Sequence, residues 1–342
     1  MKLSARTGTL RLREPFRISR SVMHERDAVW IDLEHDGRTG RGEAVTSVYY
    51  DLDVPRILER LEELRPHVEN CADPGALLAG IAAWPEVEPG VRCAVDAAAH
   101  DLAAQSRGRT VQDLVGAPPV GSPATARTIG ITGTDQAVRT ATELTARGFR
   151  VLKVKLGDGP DETARVAAVR AAAPDAELLL DPNGAWEPDR ALRLLDELAE
   201  HRIAAVEQPT PPGDPAELGR IARHSPIPVI ADEDAQSLAD VRALGSSVHG
   251  VNVKLAKCGG IRPALEIIDA ARSAGVDVLL GCLVASSLGI APAVHLAGHA
   301  RWIDLDGHLL LADDPWDGIG GTGGTLHITG EPGLGVRPRA AA

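Results

Sequence analysis

At 342 residues the chain exceeds one small domain and suits a large barrel with an accessory domain. Its composition, 44% apolar and 25% charged, is that of a globular protein with ample core material. The formal net charge of -12 argues against nucleic acid or an anionic membrane as main partner, because both need a basic face. Cys71, Cys93, Cys258 and Cys282 show no CxxC or Cys/His spacing, so buried free thiols are expected rather than disulfides or a thiolate metal site. The N-terminus lacks a signal-peptide core, and no apolar run reaches about 18 residues. The expected location is the cytoplasm.

Residues 1 to about 50 read as β structure. Ala28-Val29-Trp30-Ile31-Asp32-Leu33 alternates, and Asp36-Gly37-Arg38-Thr39-Gly40 supplies hairpin chemistry. From 53 to 117 the pattern is helical, most clearly over Val91 to Gln105. The breaker-rich segment Gly116-Ala117-Pro118-Pro119-Val120-Gly121-Ser122-Pro123 marks a domain boundary. Beyond it, short apolar strands alternate with amphipathic helices. Strands are expected near Thr128-Ile131, Val151-Lys155, Glu177-Asp181, Ala204-Glu207, Pro228-Asp232, Gly250-Lys254, Asp277-Gly281 and Trp302-Asp304.

This order predicts an α/β fold, a (β/α)7–8 barrel of the TIM type with the last helix reduced. An open doubly wound sheet is the competing topology, disfavoured because no GxGxxG follows a first strand. The expected division is residues 1–120 as an α+β capping domain, 121–317 as the barrel, and 318–342 as a tail returning to the cap. In that tail Thr325-Leu326-His327-Ile328 alternates.

Catalytic groups in such barrels sit where strands end. Lys153-Val154-Lys155 puts two ammonium groups on one face of the second strand. The third, fourth and fifth strands end in Asp181, Glu207 and Asp232-Glu233, and the sixth in Lys254. One charged residue at a strand end is ordinarily just solvated. Three carboxylates on successive strands about 4.8 Å apart can instead converge on one cation. Oxygen donors without Cys or His favour Mg²⁺ over Zn²⁺, with Mn²⁺ as a substitute. A metal and flanking lysines suit abstraction of a proton next to a carboxylate. The metal would stabilise the enolate, and a lysine near a second cation would have its pKa lowered. Lysines on strands two and six face each other across the barrel mouth, which suggests racemisation or epimerisation.

The order LKVKLG, DPNGAW, VEQP, IADED and NVKLAKCGG resembles the enolase superfamily in its muconate lactonising subgroup. The likeness includes GRGEA near Gly40, GCLVASSLG at Gly281 and PGLGV at Pro332. It implies that Lys155 and Lys254 are the acid/base pair, with Lys153 assisting on the substrate carboxylate. It makes Asp181, Glu207 and Asp232 the metal ligands, and Asn183 and Glu233 residues that orient ligands or Lys254. Thr128 would contact the substrate carboxylate. The segment Trp302-Ile303-Asp304-Leu305-Asp306-Gly307 is similar to the Asp-x-Asp motif of dipeptide epimerases, in which the pair holds the ammonium of the N-terminal residue. Two anions there suit a cationic group on physical grounds as well. The implied reaction is epimerisation of a dipeptide at its C-terminal residue, with L-Ala-D/L-Glu as the reference class. Arg20, in an N-terminal loop, would pair with an acidic second side chain.

One departure is Ala285, where members of the family often carry an acidic residue. The rival readings are o-succinylbenzoate synthase or N-acylamino-acid racemase on the same machinery, a metal-free Schiff-base aldolase, and a non-catalytic barrel. The expected partner is a small-molecule dipeptide, and homo-oligomerisation stays open.

Overall fold

The computed structural model describes residues 1–339 apart from Arg20 and Pro85. The alternating N-terminal segment builds three antiparallel strands, β1 (Lys2–Ile18), β2 (Ser21–His35) and β3 (Arg38–Val45), in that order. The β2–β3 hairpin pairs His35 with Arg38 across Asp36-Gly37, whose φ angles are 48° and 71°. Two positive φ values in a two-residue loop are what a type I′ turn demands, and Asp-Gly supplies them.

Helices α1 (Val54–Glu69), α2 (Pro74–Gly80), α3 (Pro89–Ser106) and α4 (Val111–Val115) follow, each of the first three with proline in its first turn. The α3 helix lies directly on β3, and the reason is local. A Cβ at Gly40 would stand 2.1 Å from Ala98 O, and one at Gly42 would stand 1.9 Å from Ala94 O. Glycine alone permits that approach. Thus α3 is buried along most of its length, from Val91 to Ala104, and carries the cap onto the rest of the chain.

The barrel then runs β4 (Ala126–Ile129), α5 (Thr134–Ala146), β5 (Val151–Lys155), α6 (Glu162–Ala172), β6 (Glu177–Asp181), α7 (Pro188–Leu198), β7 (Ile203–Glu207) and α8 (Pro215–His224). It continues with β8 (Val229–Ala231), α9 (Leu238–Leu244), β9 (Gly250–Val253), α10 (Leu255–Cys258), α11 (Ile261–Ser273), β10 (Asp277–Gly281), α12 (Ser287–Val294) and β11 (Trp302–Asp304). These eight strands are parallel and in sequence order, which fits the expected barrel and not the doubly wound sheet. After β11 only a 3-10 turn, Gly307–Leu310, stands where a last helix would be.

Side chains close the seam between β4 and β11. Leu305 N donates to Thr125 Oγ1 at 2.9 Å, and Thr128 N donates to Asp306 Oδ2 at 2.7 Å. Arg127 adds bonds to Asp306 Oδ2 (2.9 Å) and Leu309 O (3.1 Å). Removing the Asp306 carboxylate would strand a mostly buried guanidinium and a backbone N–H. We therefore expect Asp306→Ala to lower stability by about 3 kcal/mol, read from urea unfolding midpoints, with loss under about 1 kcal/mol counting against the seam role.

In the tail the alternating Thr325–Ile328 forms no strand; Thr325 and Leu326 make isolated bridges, to Ala124 and Gly320. Glycines 320, 321 and 324 all have positive φ and turn the chain away from an extended course. Further on, Leu334 N donates to Asp101 Oδ1 on α3, and Trp316 lies under the guanidiniums of Arg6 and Arg41 in the N-terminal sheet. Its strand β12 (Trp316–Asp317) pairs with β13 (Arg337–Pro338). Among the described residues, no helix is long and apolar enough to cross a membrane.

Candidate active site

Period-two alternation builds the site in layers. Ala126, Leu179, Ala205, Ile230, Leu279 and Trp302 form an apolar floor inside the barrel. Two residues further along the same strands or just beyond them come Thr128, Asp181, Glu207, Asp232, Gly281 and Asp304, which therefore face the same interior one layer higher. Val151 likewise leads to Lys153 and Lys155, and Asn252 leads to Lys254. Two strands stop earlier than expected, β8 at Ala231 and β9 at Val253, so Asp232 and Lys254 are the first residues past the ladder.

The interior polar layer is densely paired. Lys153 Nζ lies 2.6 Å from Glu207 Oε2, 2.7 Å from Asp304 Oδ2 and 2.9 Å from Asp181 Oδ2. Lys155 Nζ donates to Asp181 Oδ2 at 2.5 Å and to Asn183 Oδ1 at 3.1 Å. Asn183 has φ 49°, a left-handed conformation that asparagine tolerates, and its N–H returns to Asp181 Oδ1 at 2.9 Å. Across the barrel, Lys254 Nζ donates to Asp232 Oδ2 at 2.6 Å and stands 3.8 Å from Glu207 Oε1. Glu233 is buried beside Lys254 and helps to raise its pKa.

Several participants were not singled out in the sequence. Lys257, one helical turn after Lys254, donates at 2.8 Å to Asp232 O, Asp232 Oδ1 and Asn252 O. Asn252 donates to Glu207 Oε1 at 2.7 Å, and Gln208 Oε1 accepts from Asp232 N at 3.0 Å. The signal was present in NVKLAKCGG, because Lys257 follows Lys254 by three residues and returns to the same helix face.

Burial sets the electrostatics. It works against the Asp181 carboxylate, but Lys153 and Lys155 outweigh it and hold the group below the usual range. Asp232 is likewise held well below, with Lys254 and Lys257 overcoming burial. Glu207 goes the other way, pushed up to about 7 by burial and by Asp181 and Asp232 beside it. Burial lowers Lys254, yet Asp232 and Glu207 dominate and raise it well above its ordinary value. The lowered lysine pKa expected above concerns a lysine beside a bound metal, whereas here carboxylates are the nearest partners of Lys254.

Among the described residues, no three carboxylates close on one point as a ready-made metal shell; lysine ammonium groups sit between them. The donor set still fits a hard divalent cation. Asp181, Glu207 and Asp232 are buried, oxygen-only and carried by neighbouring strands.

The two strand-eight carboxylates are not equivalent. Asp306 Oδ2 is engaged by Arg127 and Thr128 N in the seam. Asp304 Oδ2 accepts from Lys153, whereas its buried Oδ1 has no partner among the described residues. Thr128 is buried, with its backbone bonded to Asp306. Arg20 lies outside the described residues.

Residues 136–342 match the enolase C-terminal domain-like family. The chain belongs to the enolase superfamily. Within the superfamily it is 31% identical to an L-Ala-D/L-amino acid epimerase of Flavobacterium johnsoniae, covering 98% of this chain and 99% of that protein. It is 34% identical to a hydrophobic dipeptide epimerase of Roseobacter litoralis, covering 98% of each. The crystal structure of a dipeptide epimerase from Enterococcus faecalis, complexed with Mg and L-Leu-L-Tyr, superimposes with a TM-score of 0.92 at 28% identity, covering 98% of each chain. This superfamily member is accordingly an isomerase of the epimerase type.

A second carboxyl lies where the cap of this enolase-superfamily chain meets the barrel. Glu43, from GRGEA, accepts from Trp30 Nε1 at 2.6 Å and from Ser286 N at 2.8 Å, with a further short bond from Ser286 Oγ. Burial pushes this carboxyl up to about 7, against the pull of Ser286 and Trp30. The folded form therefore binds a proton that the unfolded form has released, and stability attributable to Glu43 falls as pH rises from about 4.5 to about 7. Glu43→Gln should remove this component. Urea unfolding of both proteins at pH 5 and pH 7 should show the wild type losing about 2 kcal/mol more than the variant over that interval. Parallel pH trends would show that Glu43 stays ionised.

Proposed function

We propose that the protein is a Mg²⁺-dependent dipeptide epimerase that inverts the α-carbon of the C-terminal residue by proton transfer between two lysines. The observation that carries this reading is Asp304. One of its oxygens is held by Lys153, and the other is a buried, unpartnered acceptor on the interior layer. A buried carboxylate oxygen without a donor is costly, and a substrate ammonium supplies both the missing donor and the opposite charge. N-acyl amino acids carry no such group.

In this reading Lys155 and Lys254, on the second and sixth of eight strands, stand on opposite sides of the barrel axis. One takes the α-proton from its face, and the other returns a proton to the opposite face, so the configuration inverts with no net gain or loss of protons. Lys153 lies between Asp181, Glu207 and Asp304 and helps to hold the substrate carboxylate beside that acidic set. Asp181, Glu207 and Asp232 would hold the divalent cation, Mg²⁺ by the hardness of the donors, with Mn²⁺ able to replace it. Bound there, it supplies Lewis-acid stabilisation of charge on the substrate carboxylate as the enolate forms. Asn183 and Lys257 keep Asp181 and Asp232 oriented, through the bonds described above.

The test is isotopic. Protein with Mg²⁺ in D₂O, offered pooled L,L-dipeptides alongside N-succinyl amino acids and succinylbenzoate precursors, should place deuterium at the C-terminal α-carbon of dipeptides. EDTA should abolish the exchange, and Mg²⁺ or Mn²⁺ should restore it. Turnover of an N-acyl substrate with no dipeptide exchange would sink the assignment.

A further inference from the structure

Between the capping sheet and the barrel, against Lys254, lies a cavity of about 230 Å³. Val45, Tyr50 and Leu52 line it from the cap, and Leu283, Ala285 and Ile290 line it from the barrel. The cavity abuts the reacting groups, since Lys254 forms part of its wall and Tyr50 is near enough to Lys254 and Asp232 for their charges to act on its hydroxyl.

The charged groups of the wall are already committed. Lys254 and Lys257 are bonded to Asp232. Glu88 is paired with Arg56 at 2.6 Å and Arg60 at 3.2 Å, and Glu43 is held by Trp30 and Ser286. Among the described residues, an acidic guest would meet two carboxylates and no uncommitted cation in the lining. A cationic guest would have to displace existing partners. Arg26, whose Nη1 donates to Val284 O at 3.4 Å, does not line the cavity. Ala285 keeps the barrel wall short and hydrocarbon where a longer or acidic side chain would occupy the space.

We propose that this cavity receives the side chain of the residue being inverted, and that this side chain is apolar, of leucine, methionine or phenylalanine size. The proposal rests on the dipeptide-epimerase reading. Proton transfer requires the α-carbon to sit beside Lys254, which places its side chain within a few bonds of the hydrocarbon wall. Burial there favours an apolar group, whereas a carboxylate would lose its hydration without compensation.

The experiment uses the full chain with Mg²⁺ in D₂O and the series L-Ala-L-Xaa, with Xaa as Leu, Met, Phe, Ala, Glu and Lys, scored by kcat/KM for α-deuteration. The best apolar member should exceed L-Ala-L-Ala by about tenfold or more, and exceed the Glu and Lys members by about a hundredfold. Ala285→Leu, which fills the cavity, should cut the wild-type Leu:Ala ratio at least about tenfold. A ratio taken within one sample does not depend on the folded fraction. Preference for Glu with sensitivity to Arg26→Ala, preference for Lys, a flat series, or a Leu:Ala ratio untouched by Ala285→Leu would each overturn the proposal and leave the epimerase reading standing. Deuteration of no dipeptide at all would overturn both.

Discussion

Lys155→Ala and Lys254→Ala are each expected to abolish inversion, with a fall of about 10³-fold or more in kcat, while each keeps α-deuteration of only one stereoisomer of the substrate. The reason is geometric. Each lysine serves one face of the α-carbon, so the remaining base can still remove and return the proton on its own side. The two variants should therefore keep exchange in opposite stereoisomers. Neither substitution leaves a buried carboxylate without a cation, because Asp181 retains Lys153 at 2.9 Å and Asp232 retains Lys257 at 2.8 Å. Loss of activity can then be separated from loss of fold by circular dichroism and urea unfolding. If either single variant still interconverts the stereoisomers at more than about a tenth of the normal rate, one base serves both faces and the two-lysine mechanism falls.

Asp304→Asn should cost free dipeptides about 10²- to 10³-fold in kcat/KM, mostly through KM, consistent with losing the anion that faces a desolvated ammonium. The side chain keeps its size, and Lys153 keeps Asp181 and Glu207 as partners, so the barrel should still fold. The diagnostic comparison is with the same dipeptide acetylated at its N-terminus. That substrate has no ammonium to lose a partner, and its already poor turnover should change by less than about fivefold. An equal loss for both substrates would mean that Asp304 acts through Lys153 alone, and the case for a dipeptide would then rest on the relatives only.

Most of the architecture was legible along the chain because strand and helix periodicities are local. The strands Val151–Lys155, Glu177–Asp181, Asp277–Gly281 and Trp302–Asp304 have the expected bounds, and the Asp36-Gly37 turn sits where its dipeptide places it. The same local rule carried the site, since side chains two apart on a strand share a face. Asp181, Glu207, Asp232, Asp304 and the lysines had to meet once the strands closed in order. Other bounds shifted: β4 lies at Ala126–Ile129 and not Thr128-Ile131, and β7 starts one residue early at Ile203. Strands β8 and β9 stop one residue short, where the ladder ends and the chain turns toward the site.

Pairing is a different matter, because it depends on which groups satisfy one another across distances that no periodicity reports. Sequence placed Asp304 and Asp306 alike, two residues apart and facing the same way. The tertiary structure separates them, with Asp306 drawn by Arg127 and Thr128 N into the seam and Asp304 left with one buried oxygen unpartnered among the described residues. The roles of Lys257 and Asn252 were likewise decided only by proximity, as each bonds to a carboxylate from a different strand. Glu43 is the longest-range case, reaching Ser286 across 243 positions because Gly40 and Gly42 let α3 seat the cap against the barrel. The sequence by itself determined the order of the strands and the chemical kind of each side chain at their ends. Which charges neutralise one another, and which oxygen is left without a partner, was decided by packing, because only the folded chain brings the candidate groups together.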